Sequence, residues 1–157
     1  MDRFTPDLVS GWIDENKVRE VELVDEDEDE FLFRIKLHHI PATIIVESDG
    51  SPLEIVTQVT YDPSVLANLM DRAQLWKQFR TEAMIVLTGL RGFYAFLNDD
   101  GDTVSFEEMS QIRIQYFMYP DGASQHEFMN SMYDLARAHA YLLWRPENIV
   151  ETLDDRS

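Results

Sequence analysis

The clearest periodicity lies at residues 31–38, where Phe31, Phe33, Ile35 and Leu37 alternate with Leu32, Arg34, Lys36 and His38. Successive side chains of a strand point to opposite faces, so the alternation predicts a strand with one face in the core and a wetter one behind it. Three further strand-like segments surround it: residues 18–24, residues 42–47 after Pro41, and a fourth marked by Leu53, Ile55, Val59 and Tyr61. The acidic run 25–30 separates the first two and can neither pack nor bury, so it reads as a solvated hairpin tip. Ser48-Asp49-Gly50-Ser51-Pro52 is a turn by composition. The order predicts an antiparallel meander.

Helical spacing brackets this meander. Thr5 before Pro6 is an N-cap followed by proline at the first helical position, with Phe4 placed to staple onto Val9 and with Leu8, Val9, Trp12 and Ile13 on one face. Asp62-Pro63 repeats the signal, and Leu66, Leu69, Ala73, Trp76, Phe79, Ala83, Val86 and Leu90 share one stripe until Gly89 and Gly92 stop it. Such a helix would span about 40 Å, which leaves room for a break near Lys77. Strands are expected again at 93–97, 103–107 and 112–119. A last helix then opens on a capping box, Ser124 with Glu127, stapled by Ala123 and Phe128. Trp144-Arg145-Pro146 is expected to end or kink it, leaving 147–157 as a partly ordered polar tail. The prediction is a single α+β domain: helix, four-stranded meander, long helix, three more antiparallel strands and a C-terminal amphipathic helix.

Composition fits one core, at 157 residues of which 45% are apolar. Charge changes the picture more. The 30 acidic residues outnumber 13 Lys and Arg, a net charge of -17, and only Lys17, Lys36 and Lys77 are lysine. A field of that sign repels phosphate backbones and anionic lipid, so neither nucleic acid nor a membrane is an expected partner. Solubility explains the acidity, and so does life at high salt, where self-repulsion is screened. With no cysteine, the chain has no disulfide and no thiolate chemistry. Its apolar runs are too short for a bilayer span and Met1-Asp2-Arg3-Phe4 does not open a signal peptide, so a cytoplasmic location is expected.

Candidate chemistry is sparse. Asn98-Asp99-Asp100-Gly101-Asp102 with Glu107 places a glycine and a glutamate as an EF-hand loop does, but Phe96 stands at the first ligand position and the flanks read as strands. A hairpin loop is the expectation and a cation site the alternative. His38 and His39, adjacent in a strand, would point to opposite faces and could not share a metal. His139 falls on the apolar stripe of the last helix, as a hydrogen-bonded core histidine or a catalytic base. No nucleophile elbow, P-loop, dinucleotide fingerprint or Cys-x-x-Cys is present.

The last helix carries more apolar surface than one sheet requires. Phe128, Met132, Leu135, His139 and Leu142 form one stripe, with Met129, Tyr133, Ala136, Ala140 and Trp144 beside it. The helix is either buried between sheet and helix or keeps a face for a partner. In element order, size and acidity, residues 5–144 resemble the type III secretion chaperone-like fold. That resemblance implies a homodimer holding an extended segment of a client polypeptide, with Leu69, Trp76 and Phe79 in core or dimer packing. The expectation is a non-enzymatic, homodimeric protein-binding module, chaperone-like or adaptor, with no catalytic, cofactor or metal residues. Its interface candidates are Phe128, Met129, Met132, Tyr133, Trp144 and Trp76. The competing reading is a small-molecule enzyme or sensor whose site gathers His38, His139, Arg91 and Arg113.

Overall fold

The alternation at 31–38 becomes strand β2 (Phe31–Leu37) in a computed structural model that describes residues 3–27, 30–49 and 51–156. Helix α1 (Pro6–Trp12) and strand β1 (Val18–Glu26) precede it. Strands β3 (Thr43–Ser48) and β4 (Leu53–Thr60) follow, then helices α2 (Pro63–Met70) and α3 (Ala73–Thr88), strands β5 (Phe93–Leu97) and β6 (Gln111–Met118), and helix α4 (Gln125–Arg156). The strands form one antiparallel sheet in the order β1-β2-β3-β4-β6-β5, so the predicted meander occupies four consecutive places. The helices cover one face. Helix α4 lies over β4 with its flanks on β3 and β6, and α1, α2 and α3 pack against α4. Ile35, Ile44, Val46, Ile55, Val59, Ile112 and Ile114 alternate inward across the sheet and are fully buried. Among the described residues, no helix is long and apolar enough to cross a membrane.

The helix starts are built as the sequence implies. Thr5 Oγ1 accepts the Leu8 N–H at 3.2 Å and Asp62 Oδ1 accepts the Ser64 N–H at 2.9 Å, each satisfying one of the donors a helix N-terminus leaves free. Ser124 Oγ likewise takes the Glu127 N–H at 3.1 Å. The reciprocal half of that capping box is not made, because the Glu127 carboxylate is drawn off to Arg91 and Tyr116, at 2.7 and 3.0 Å.

Four expectations are corrected. The long helix breaks at Asp71 and Arg72, not near Lys77. The inward residues Leu69 and Leu75 are six positions apart, which a continuous helix would leave about 120° out of phase; the break re-phases them. The strand expected at 103–107 reduces to a single bridge from Thr103 to Leu97, followed by a 3-10 turn at Phe106–Glu108. That turn swings Phe106 inward, where its ring lies 4.9 Å from Trp76, 5.6 Å from Phe79 and 5.2 Å from Phe96. Three aromatic contacts outweigh a few ladder hydrogen bonds at a sheet edge. The acidic run begins inside β1, with Glu26 paired to Phe31 and the Asp27 N–H bonded to the Glu30 carbonyl; Glu28 and Asp29 lie outside the described residues.

The fourth correction concerns Pro146, which does not end the last helix: α4 runs on to Arg156 and Ile149 is buried. A proline lacks the N–H that would bond the carbonyl four residues earlier, here Leu142. The Tyr61 hydroxyl donates to that carbonyl at 2.7 Å from within the core. One side chain from the end of β4 thus satisfies the acceptor that Pro146 orphans. Burial raises the Tyr61 pKa far above its ordinary value, so the hydroxyl keeps its proton.

Candidate functional site

The surfaces the core leaves unfilled are the places where this chain can meet something else. On the helical side, α3 and α4 run together, clamped by Arg145, whose guanidinium donates to both Glu82 oxygens at 2.5 and 2.9 Å. Those bonds hold the Glu82 carboxyl below the usual carboxylate range. Beyond the clamp a groove of about 480 Å3 opens between Ile85, Val86 and Leu90 on one side and Ala138 and Tyr141 on the other. Ile85 is 67% exposed and Trp144, one turn beyond Tyr141, is 48% exposed. Arg91 and Arg137 border the groove against the single acid Asp134. Arg91 pairs with Glu127 at 2.7 Å and Arg137 with Asp134 at 3.8 Å, so the rim is close to charge-balanced in a strongly acidic chain.

On the open face of the sheet, cross-strand register sets Leu32, Glu47, Glu54 and Phe117 in one row across four strands. Glu47 and Glu54 stand directly opposite each other, a like-charged arrangement that disfavours pairing. Partial burial, and then the Glu54 charge, raise the Glu47 pKa above its ordinary value. Glu54 accepts the Gln115 side-chain amide at 2.7 Å. Among the described residues neither carboxylate has a lysine or arginine partner, and no three His, Asp or Glu side chains are placed to hold a metal ion. At the sheet's edge, β1 exposes Val21 at 45% and Leu23 at 41% on the face whose neighbours on β2, Ile35 and Phe33, are buried.

The six interface candidates separate cleanly. Phe128 and Met132 are fully buried in the chain's own core, and Trp76 packs within the aromatic cluster around Phe106. Met129 and Tyr133 are partly buried against the core, with the Arg137 guanidinium 5.2 Å from the Tyr133 ring. Trp144 alone of the six is strongly exposed. Leu69 and Phe79 are core. Ile85, Tyr141, Val21 and Leu23 were missed as surface residues. Ile85 had a readable signal, since it is an apolar residue off the helical stripe.

The residues of the competing enzyme reading do not converge. His139 is on the covered face, where its Nδ1 lies 2.8 Å from Thr57 Oγ1. The same hydroxyl lies 3.1 Å from the Thr43 carbonyl, so it links the buried ring to the backbone of β3. Arg113 stands on the opposite face of the sheet, cross-strand from Gln58, and Arg91 is paired with Glu127. His38 and His39 sit in the turn after β2, not in a strand. His39 adopts φ 63°, and the two exposed rings lie with centroids 6.0 Å apart instead of on opposite faces. In the loop once weighed as a cation site, Asn98 Oδ1 accepts the N–H groups of Asp100 and Asp102 at 3.0 and 2.9 Å, and Gly101 takes φ +84°. The Asn98 oxygen is thus engaged in holding the turn.

No curated protein matches the sequence. The fold is shared with a crystal structure of an uncharacterized protein from Methanothermobacter thermautotrophicus, at a TM-score of 0.67 and 14% identity over 90% of this chain and 96% of that one. With residues 5–145 matching its pattern, the chain belongs to the family described as uncharacterized conserved protein (DUF2299).

Proposed function

We propose that the protein is a non-enzymatic binding module, chaperone-like or adaptor in type, that acts as a homodimer joined through the α3–α4 face. The observation that carries this reading is the groove between the two helices, where Ile85 and Tyr141 stay exposed beside Val86 and Leu90, with exposed Trp144 one turn further along α4. Two copies of a chain at -17 repel each other over most of their surfaces. This face is close to charge-balanced, with Arg91 paired to Glu127 and Arg137 to Asp134, and a two-fold axis lets Asp134 of one copy also meet Arg137 of the other. Aromatic residues beside arginine are what interface centres favour. The resemblance in element order to the type III secretion chaperone-like fold supports the same reading.

Sedimentation equilibrium tests it. The wild type is expected to be a dimer at both low and molar salt, and Ile85→Asp with Tyr141→Asp is expected to give a folded monomer. A wild-type monomer under both conditions would refute the dimer.

A further inference from the structure

We infer that β1 is a docking edge for an extended, basic segment of another polypeptide, which adds to the sheet as a seventh strand. This inference rests on the protein-binding reading and gives it a second site, separate from the dimer face. Strand β1 ends the sheet order, so its backbone groups facing away from β2 meet no strand among the described residues. Natural edges are blunted by bulges and charges. Here register shifts between Val18 and Glu20 and between Leu23 and Asp25 leave residues 20–23 as the longest stretch of unbroken register, with Asp25 and Glu26 paired beyond the second shift. Within that stretch the two faces differ. Glu20 and Glu22 point to the open face and are tied to Lys36 and Arg34 at 3.4 and 3.2 Å. Val21 and Leu23 point to the helix-covered face, opposite the buried Ile35 and Phe33, yet they are left 45% and 41% exposed. A defended edge carries charge at such places. This one carries the start of an unfinished core layer.

Charge decides the occupant. The strand runs out into Glu26, Asp27 and Glu30, at the end of the molecule where the acidic run is densest. A second copy pairing here would lay one acidic strand against another, at a cost in repulsion. A segment with two alternating aliphatic residues followed by lysine or arginine would cover Val21 and Leu23 and place its cations beside the acidic end. Its main chain would take up the open edge, the physics of strand addition.

The probe is a short fluorescein-labelled peptide of alternating valine and lysine ending in a run of lysines, titrated into the full chain. Binding is expected to weaken as salt rises and to slow hydrogen exchange at β1 amides. The double variant Val21→Thr, Leu23→Thr keeps the charge and the strand propensity, and is expected to bind at least about tenfold more weakly with an unchanged melting temperature. Equal affinity in that variant, equal binding of a peptide with glutamate for lysine, or protection away from β1 would each overturn the inference. So would a change in oligomeric mass in the β1 variant, which would make the occupant a second copy. Because Ile85→Asp with Tyr141→Asp touches only the helical face, it is expected to bind the peptide as the wild type does; a wild-type monomer that still binds the peptide at β1 would mean failure of the dimer reading alone, and a wild-type dimer that does not bind it would mean failure of this one.

Discussion

Strands β1 and β2 lie side by side and both send apolar residues inward, yet those of β2 are core while Val21 and Leu23 of β1 are surface. Ile35 is 0% exposed while Val21, its direct cross-strand partner, is 45% exposed. The difference lies in what stands above them. Helix α4 packs over β4, β3 and β6, so the helical layer thins out before it reaches the β1 edge. Alternation thus reports which way a side chain points. Whether anything covers it is decided elsewhere in the chain.

The sharpest way to break that comparison is truncation on either side of the ladder. Ile35→Ala should cost about 2–5 kcal/mol through lost burial and a residual cavity, while Val21→Ala should cost about 0.5 kcal/mol. Urea midpoints at constant m-value measure both, and equal costs would mean that β1 is covered after all.

Next in size is Tyr61→Phe on the covered side, which leaves the Leu142 carbonyl buried beside Pro146 without a donor and should cost about 1–3 kcal/mol. Tyr119→Phe, at an exposed tyrosine, should stay within about 0.5 kcal/mol. If the two substitutions cost the same, the hydroxyl is not what allows the proline inside α4.

The pH response of the covered face should be smaller. Burial lowers the His139 pKa below its ordinary 6.5, so the unfolded chain takes up the proton first. The stability contributed by neutral His139 is therefore complete above about pH 6.5 and falls as the pH is lowered through and below that value, by no more than about 1.4 kcal/mol per pH unit. Comparing urea midpoints between pH 7.5 and 5.5 in wild type and His139→Gln checks this, since the variant should show the shallower slope. An unchanged slope would assign the acid sensitivity to other groups.

On the open face the effect should be smallest and of opposite sign. Glu47 has a raised pKa, so the cost of its charge opposite Glu54 is present above that pKa and absent below it. Glu47→Gln should stabilise the protein by about 0.2–1 kcal/mol at pH 7 and by less at pH 4. Destabilisation at pH 7 would show that the carboxylate makes a favourable contact.

Local rules made much of the fold legible. The alternation at Phe31 to Leu37, the caps at Thr5 and Asp62 and the turn at Asn98 to Asp102 each depend on neighbours within a few residues, and each formed. The candidate site was legible only in outline. Aromatic excess on the last helix pointed to Trp144 but equally to Phe128 and Met132, because a stripe does not say whether its cover comes from the same chain or from another.

What the sequence alone determined is therefore the period and facing of the strands, the starts of the helices and the acidic end of the first hairpin. The tertiary structure decided the rest through partners distant along the chain. Phe106 left its expected strand for Trp76, Phe79 and Phe96; Tyr61 allowed Pro146 to stay helical; and the layering left Val21 and Leu23 exposed while Ile35 and Phe33 beside them are buried. Each outcome depends on a contact or a gap that no local window contains, since burial and hydrogen-bond satisfaction belong to the assembled layers.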